Sequence, residues 1–502
     1  MYRYHVVGLI ADIPMDYSNP WISDKRHHRT KLTSGWLFTE NNVGDGEIDI
    51  LVDKNQSKTH TETYLVTTFH GIRMCSSLQM VMLNKDGEKK VYQIGTLSRI
   101  DAPELDLTMI RLPSKMKSDA YTRADMHIKM PHNDLTFIQT IRLESDIIDI
   151  VFIPHNLRIT NITHDRCSDY SNYPLLPEIR TNIVDDKFSE SYIDAFSGSA
   201  VFDVDGGIVG IVTSLHIATS AICITPTIVM MRFINEVLST SAYNGIKFMP
   251  MKYKPCYGEH PDGNTLNLLL CRNNYKNLKK GYLISSMNDN KFDSKGCIKL
   301  HGWNLHIDAY IALCYPMESV TIKYYHNDDD VLVSQEVEIY SVLDTVKIGE
   351  VSNIRWININ GNIFVELSKT FLDAMKELGI NYYPNIQSDI IRRPYSINHK
   401  RRLIALIYSD HPTIQMTINE LRRSNKVLLA KYTNNKKKAF HVISDLQSYY
   451  EEMGSKIFLG FSGLSVSYSF ISNGKGSSLV KIQEEYHVDQ RREGRNKVII
   501  RI

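Results

Sequence analysis

The sequence predicts a mostly β protein built from several domains. Residues 32–240 consist mainly of short apolar or β-branched runs separated by turn signals, a pattern typical of antiparallel barrels or sandwiches. The exception is Pro226–Leu238, where apolar residues recur at helical spacing and predict a helix that closes this region. At 502 residues the chain is too long for one hydrophobic core, so we expect two to four domains.

Composition excludes several classes of function. The net charge of +2 gives no electrostatic reason for a nucleic acid or an acidic membrane as partner. No apolar run approaches the roughly 20 residues that cross a bilayer, and the N-terminus lacks the apolar region of a signal peptide. We therefore expect a soluble, intracellular protein.

The abundance of Ile, Asn, Lys and Tyr fits an AT-rich genome, such as that of a protist or a large DNA virus. A virus would place the protein in the virion or in the host cytoplasm or nucleus.

The cysteines predict neither a metal site nor a disulfide framework. Their number, seven, is odd, and they are widely scattered with no C-x-x-C pair. No nucleotide-binding motif occurs either, so no cofactor is expected.

A short turn containing Ser197 is the first candidate functional segment. Ser197-Gly198-Ser199 leads into an apolar run, and an Asp205-Gly206-Gly207 hairpin turn follows. Such a turn can hold a serine hydroxyl rigidly at the edge of a barrel. Taken alone, the segment is more typical of an ordinary hairpin whose serines satisfy turn hydrogen bonds.

Two upstream residues complete a chemical pattern with Ser197. His70 ends a β-branched run, and Asp106 begins another apolar run. An imidazole can take the proton of an attacking hydroxyl and return it to the leaving amine. A buried carboxylate on the far ring nitrogen fixes the tautomer of that imidazole. Each residue alone also has an ordinary structural reading, but the chain order His, Asp, Ser in these contexts predicts a catalytic triad.

The blocks around these residues resemble the trypsin-like fold, in particular the HtrA (Deg) serine proteases. The resemblance rests on five segments: Ser34–Phe38, Thr67–Ile72, Asp106–Ile110, Ser197–Phe202 and Ile222–Pro226. It implies a trypsin-like double β-barrel protease domain over residues 1–245. It also implies an ATP-independent serine endopeptidase that cleaves unfolded or specific polypeptides and assembles as a trimer-based homo-oligomer.

Within that resemblance, the N–H groups of Ala195 and Ser197 would form the oxyanion hole. The family has glycine and then Asn or Asp before the serine, whereas this chain has Ala195 and Phe196. Alanine adopts the backbone conformation that glycine allows only with strain. The alternative function is therefore a weakened or inactive protease-fold protein with a binding or structural role, for example in a virion. Ser199 is a rival nucleophile, and Ser197 is preferred.

The rest of the chain resembles two PDZ-like α+β domains. The first covers residues 262–345, after a Pro- and Gly-containing segment, 250–263, that reads as a linker. Its peptide-binding loop would comprise Gly281, Tyr282, Leu283 and Ile284, which present backbone N–H groups to a peptide C-terminus. In the other reading, Tyr282 and Leu283 simply pack the core of the domain.

The second PDZ-like domain is degenerate and carries a C-terminal extension. It covers residues 346–502, with strands expected near 363–368, 403–408 and 426–432 and helices over 369–378 and 440–450.

Overall fold

The computed structural model describes the following residues: 6–14, 28–39, 62–73, 75, 77–83, 88–94, 98–113, 130–131, 133–139, 142–144, 147–149, 153–163, 176–184, 195–216, 221–249, 251–257, 266–273, 275, 277–293, 295–314, 317–325, 331–341, 356–359, 362–367, 403–409, 412, 415–416, 418–419, 428–431, 458–461, 468–473 and 477–482. The chain divides into two compact units, Met1–Val342 and Leu343–Ile502.

The first part of unit 1 is a seven-stranded antiparallel sheet. Its strands are β1 (Val6–Pro14), β2 (His28–Thr39), β3 (Thr63–Thr68), β4 (Ser77–Leu83), β5 (Lys89–Ile94), β6 (Arg99–Ala102) and β7 (Leu107–Arg111). Their order across the sheet is β5-β4-β1-β2-β3-β7-β6. The short helix α1 (Phe69–Ile72) follows β3, and a 3-10 turn, Pro103–Leu105, precedes β7. Alternate apolar side chains of the strands, among them Leu9, Leu65 and Ile110, form the buried core of this sheet.

The second part of unit 1 is a closed six-stranded barrel. Its strands are β8 (Asp134–Gln139), β11 (Ile153–Thr163), β12 (Glu178–Ile183), β13 (Ala200–Phe202), β14 (Ile208–His216) and β15 (Ala221–Pro226). They close in the order β11-β12-β15-β14-β13-β8. A separate two-stranded ladder pairs β9 (Arg142–Glu144) with β10 (Ile147–Asp149). The predicted mostly β fold class is thereby confirmed.

The helix predicted from the spacing of apolar residues is also present. It is α2 (Thr227–Thr240), which begins directly after Pro226. Ser241 ends it in a left-handed conformation, with φ 57°.

A second sheet follows within unit 1. Its strands are β17 (Met251–Tyr257), β18 (Leu266–Asn273), β19 (Leu283–Met287), β23 (Ser319–Tyr325) and β24 (Leu332–Glu338), in that order, with β20 (Asn290–Lys291) paired to β19. Two short ladders accompany it: β16 (Lys247–Phe248) with β25 (Tyr340–Ser341), and β21 (Cys297–Leu300) with β22 (Trp303–His306), which leads into α3 (Ile307–Leu313).

The prediction of a linker over residues 250–263 is wrong for the first half of that segment. Residues 251–257 form β17, which is paired along its whole length with β18. Proline suggested a linker because it lacks an N–H donor, but Pro255 lies on an edge strand, where one missing donor is tolerated.

Unit 2 contains a seven-stranded antiparallel sheet. Its strands are β26 (Trp356–Ile359), β27 (Asn362–Leu367), β28 (Leu403–Ser409), β29 (Leu428–Lys431), β30 (Phe458–Phe461), β31 (Tyr468–Asn473) and β32 (Ser477–Ile482), in sequential order. The helices expected over 369–378 and 440–450 lie outside the described residues. Among the helices that are described, none combines the length and apolar character needed to traverse a bilayer.

Candidate active site

His70 lies in α1, the helical turn that directly follows β3. Its side chain is 25% exposed, so it opens to solvent on one side. The Nζ of Lys31 donates a hydrogen bond to the His70 carbonyl oxygen at 2.9 Å. A Cβ on Gly71 would lie 2.6 Å from Thr33 Oγ1 and 2.8 Å from Thr68 Oγ1. Glycine at that position therefore lets the turn that carries His70 pack closely against β2.

Asp106 is held from both its backbone and its side chain. It ends the 3-10 turn in the left-handed region, with φ 55°, which a short polar residue tolerates. Its N–H donates to the Pro103 carbonyl and its carbonyl accepts from the Phe69 N–H, both at 3.0 Å. Its side chain is 1% exposed. Oδ2 lies 2.7 Å from His70 Nδ1, and Oδ1 accepts the His70 backbone N–H at 2.9 Å. Both carboxylate oxygens are therefore committed to His70.

Ser197 completes the cluster from the barrel. Its Oγ lies 2.9 Å from His70 Nε2, on the side of the ring opposite Asp106. The structure thus brings together all three residues that the sequence singled out for a triad. His70 and Asp106 come from strand ends of the first sheet, whereas Ser197 comes from the loop that leads into β13.

The loop that carries Ser197 is bound to β2 of the first sheet. The Ser34 N–H and the Thr33 hydroxyl both donate to the Ser197 carbonyl, at 2.8 and 2.7 Å. The Ser34 hydroxyl donates to the Ala195 carbonyl at 2.7 Å, and the Thr67 hydroxyl donates to the Ser34 carbonyl at 2.6 Å. Sequence reasoning assigned no role to these hydroxyl groups. Their local sequence gave no signal, because Thr33 and Ser34 follow the polar first half of β2 and Thr67 stands beside Thr68 at the end of β3.

Two residues close to Ser197 in the loop, Phe196 and Ser199, are buried. Ser199 is fully buried, and its N–H donates to the Phe196 carbonyl at 3.0 Å. The Phe196 ring packs edge-on against Phe137, with 5.1 Å between the ring centroids, and lies 6.0 Å from the His155 ring. An apolar side chain stands here because it fills the barrel core. Ser197, in contrast, is partly exposed beside the imidazole.

Ala195 has the backbone conformation that the sequence indicated for this position. Its φ is 101°, in the region that L-residues other than glycine rarely adopt. The N–H groups of Ala195 and Ser197 donate to no acceptor among the described residues. Within the described part of the chain, these two N–H groups are therefore available to donate hydrogen bonds to a ligand.

Replacing Ala195 with glycine is expected to stabilise the protein. Relief of the strain at φ 101° is worth about 1–3 kcal/mol, and the added freedom of the unfolded chain offsets about 0.4–1 kcal/mol of that. The free energy of unfolding should therefore rise by about 1 kcal/mol, as measured by denaturant titration. Ala200→Gly is the matched control, because Ala200 is a fully buried residue of β13 whose φ is not positive. The control should lower the free energy of unfolding. If Ala195→Gly lowers it too, the backbone of Ala195 is not strained.

The strand topology and the placement of the three side chains together indicate the fold type. A sheet that supplies histidine and aspartate and a closed barrel that supplies serine meet at one cluster. The fold is that of the trypsin-like serine proteases.

Comparison with known proteins gives structural similarity at low identity. No family model and no curated protein matches the sequence. A serine endoprotease from Yersinia pestis is 13% identical with a TM-score of 0.37, over 67% of this chain and 94% of that one. A protease from M. tuberculosis in its active form is 10% identical with a TM-score of 0.31, over 48% and 82%. The MamO protease domain from Magnetospirillum magneticum is 11% identical with a TM-score of 0.28, over 46% and 95%.

The loop expected to bind peptides is bonded within the second sheet. Gly281 has φ 100°, and its N–H donates to the Leu270 carbonyl at 2.8 Å. The Leu270 N–H in turn donates to the Tyr282 carbonyl at 2.8 Å. The Tyr282 ring is buried and stacks on Tyr324, with 5.0 Å between the ring centroids. Tyr282 therefore contributes to the core of this sheet.

The last two residues of that loop begin β19. Leu283 and Ile284 pair with β18 on one side and with β23 on the other. A peptide that added as a strand here would have to displace one of these neighbours, because both edges of β19 are already paired at these residues. Peptide binding by Gly281–Ile284 stays a prediction.

Proposed function

We propose that this protein is an ATP-independent serine endopeptidase of HtrA/Deg type. Ser197 is the nucleophile, His70 the general base and then the general acid, and Asp106 the carboxylate that orients His70. The observation that carries the proposal is the continuous chain of contacts through one imidazole: 2.9 Å from Nε2 to the Ser197 Oγ and 2.7 Å from Nδ1 to Asp106 Oδ2.

The first half of the reaction is acylation. As the Ser197 Oγ attacks the scissile carbonyl carbon, its proton passes to His70 Nε2, and the carbonyl becomes an oxyanion. The uncommitted N–H groups of Ala195 and Ser197 are the donors that would stabilise that charge. When the C–N bond breaks, the leaving amine takes the proton from His70, and an acyl-enzyme remains.

The second half is hydrolysis of the acyl-enzyme. Water attacks the ester carbon while His70 accepts a proton from it. The proton then returns to the Ser197 Oγ as the acyl C–O bond breaks, which releases the carboxylic acid product. Asp106 keeps its negative charge throughout and stabilises the imidazolium that forms in each half.

Polypeptides are the proposed substrates, either unfolded chains or a specific precursor, and the proposed assembly is a trimer-based homo-oligomer. Both follow the sequence resemblance of the five blocks in residues 30–240. The proposed boundaries likewise follow it: a protease domain over 1–245, then PDZ-like domains over 262–345 and 346–502.

Covalent labelling with a fluorophosphonate probe tests the proposed nucleophile. The Ser197 oxygen attacks phosphorus, fluoride leaves, and His70 takes the proton. We expect one label per chain on Ser197 in the folded protein and none in Ser197→Ala, as read by intact mass and peptide mapping. Ser199→Ala is the matched control and should label as the wild type does, because Ser199 is fully buried.

One observation favours a second function, that of a protease-fold protein with a binding or structural role. Ala195 holds a positive φ that costs alanine strain and glycine none. Relaxation of that strain would turn its N–H away from the oxyanion, and the loss of one oxyanion donor typically costs about 10²–10³ in rate. Folded wild-type protein that stays unlabelled by the probe would favour this second function over the first.

A further inference from the structure

Glu104 lies in the 3-10 turn that presents Asp106. It is fully buried. Its Oε1 accepts two hydrogen bonds, one from the Tyr243 hydroxyl at 2.5 Å and one from the Ile246 N–H at 3.2 Å. Both donors belong to residues 241–248, which follow α2 and which we term the junction segment.

The junction segment is hydrogen-bonded to both members of a buried ion pair within α2. Arg232 and Glu236 lie one helical turn apart, with 2.5 Å between Nη1 and Oε2. Glu236 Oε1 accepts from the Asn244 N–H and from Nδ2 of the same residue, at 3.2 and 3.1 Å. Arg232 also donates to the Gly245 carbonyl at 3.3 Å. The segment is therefore fixed against the helix that closes the barrel.

The junction segment is also tied to β25, the short strand that follows β24 in the chain. Its last residues form β16, which pairs with β25, and the Ser341 hydroxyl donates to the Asn244 carbonyl. The Tyr243 ring meets Phe233 of α2 edge-on, with 5.1 Å between the ring centroids. Glu104 thus binds a segment that is itself held from two directions.

A buried carboxyl group is a costly way to fill this space. Burial raises the pKa of Glu104, and the hydrogen bond from the Tyr243 hydroxyl opposes that rise. An apolar side chain would fill the same volume without the desolvation penalty. A carboxyl oxygen that accepts two hydrogen bonds, however, fixes the direction of the side chain, which packing alone does not.

From this arrangement we propose that Glu104 is a positioning residue for the triad. It fixes the 3-10 turn to the junction segment, and this turn places Asp106 beside His70. The proposal rests on the proposed protease function. Asp106 directs one oxygen to each of two donors on His70, so a shift of the turn changes both contacts together. A displacement of about 1 Å near reacting groups can cost about 10² in rate.

Labelling kinetics with the same fluorophosphonate probe test the proposal, with the maximal rate constant kinact read separately from the binding constant KI. Glu104→Ala should lower kinact about tenfold with KI unchanged. Glu104→Gln keeps an acceptor oxygen for both donors and should restore kinact to within about threefold of the wild type. Tyr243→Phe removes one donor without altering the turn and should lower kinact in the same direction, which keeps the test valid if Glu104→Ala fails to fold.

Val229→Ala is the control for stability. Val229 is a fully buried residue of α2, and its truncation should lower the free energy of unfolding without changing kinact. The proposal is overturned if folded Glu104→Ala and Tyr243→Phe label at the wild-type kinact, or if Glu104→Gln is as slow as Glu104→Ala. Failure of the wild type itself to label would instead overturn the proposed protease function, so the two failures are distinguishable.

Discussion

Asp106→Asn should lower the labelling rate constant by about 10⁴ while leaving the fold intact. The carboxylate serves two donors of His70, with Oδ1 on the backbone N–H and Oδ2 on Nδ1. Asparagine has one acceptor oxygen. If that oxygen keeps the backbone N–H, the amide NH₂ faces Nδ1 and makes it an acceptor. The proton of the imidazole then lies on Nε2, and a protonated Nε2 cannot accept the proton of Ser197.

The measurement is the second-order rate constant for fluorophosphonate labelling, with circular dichroism to verify folding. Asp203→Asn is the matched control. Asp203 Oδ1 accepts the backbone N–H groups of Asp205 and Gly207 in the hairpin turn, and an asparagine oxygen can do the same. A folded Asp106→Asn variant that labels as fast as Asp203→Asn would show that the carboxylate does not orient His70.

Gly198→Ala is the substitution with the largest expected effect on stability. A Cβ at this position would lie 1.8 Å from the Ser34 carbonyl oxygen and 2.7 Å from its carbon, and φ is +89°. The obstructing atoms belong to the backbone of β2 and cannot move aside without opening the contact between sheet and barrel. We expect the free energy of unfolding to fall by at least about 3 kcal/mol, with loss of probe labelling.

Gly302→Ala separates the clash from the backbone strain. Gly302 has a comparable φ, +83°, but a Cβ there would meet nothing within 4 Å. This control should lose only about 1 kcal/mol in the same chemical denaturation experiment. Equal losses in the two variants would mean that the loop moves freely away from β2.

Much of the fold and of the triad could be predicted from the sequence because the signals are local. A histidine at the end of one apolar run and an aspartate at the head of another place both residues at the strand ends that the structure shows. Ala195 is a similar case. The absence of glycine two residues before the serine predicted strain, and the positive φ at Ala195 shows it.

The residues that the sequence did not reveal act over long separations. Ser34 bonds to Ala195 across 161 residues, and Tyr243 bonds to Glu104 across 139. Each is an ordinary polar residue in its local context, and its partner is fixed only by how the sheet, the barrel and α2 pack. The linker prediction at Pro255 was wrong for a related reason. A strand tolerates proline at the edge of a sheet, and local sequence does not specify which strand lies at the edge.

The attachment of the Ser197 loop to β2 has a consequence for biosynthesis. His70 emerges from the ribosome 127 residues before Ser197, and N-terminal units generally fold first. The loop depends on β2, which precedes it in the chain, through the hydrogen bonds of Ser34 to Ala195 and Ser197. It also needs the Val212 carbonyl, which accepts the Gly198 N–H at 2.8 Å. A nascent chain that ends before Val212 lacks this acceptor, so its Ser197 loop cannot take the form that it has in the structure.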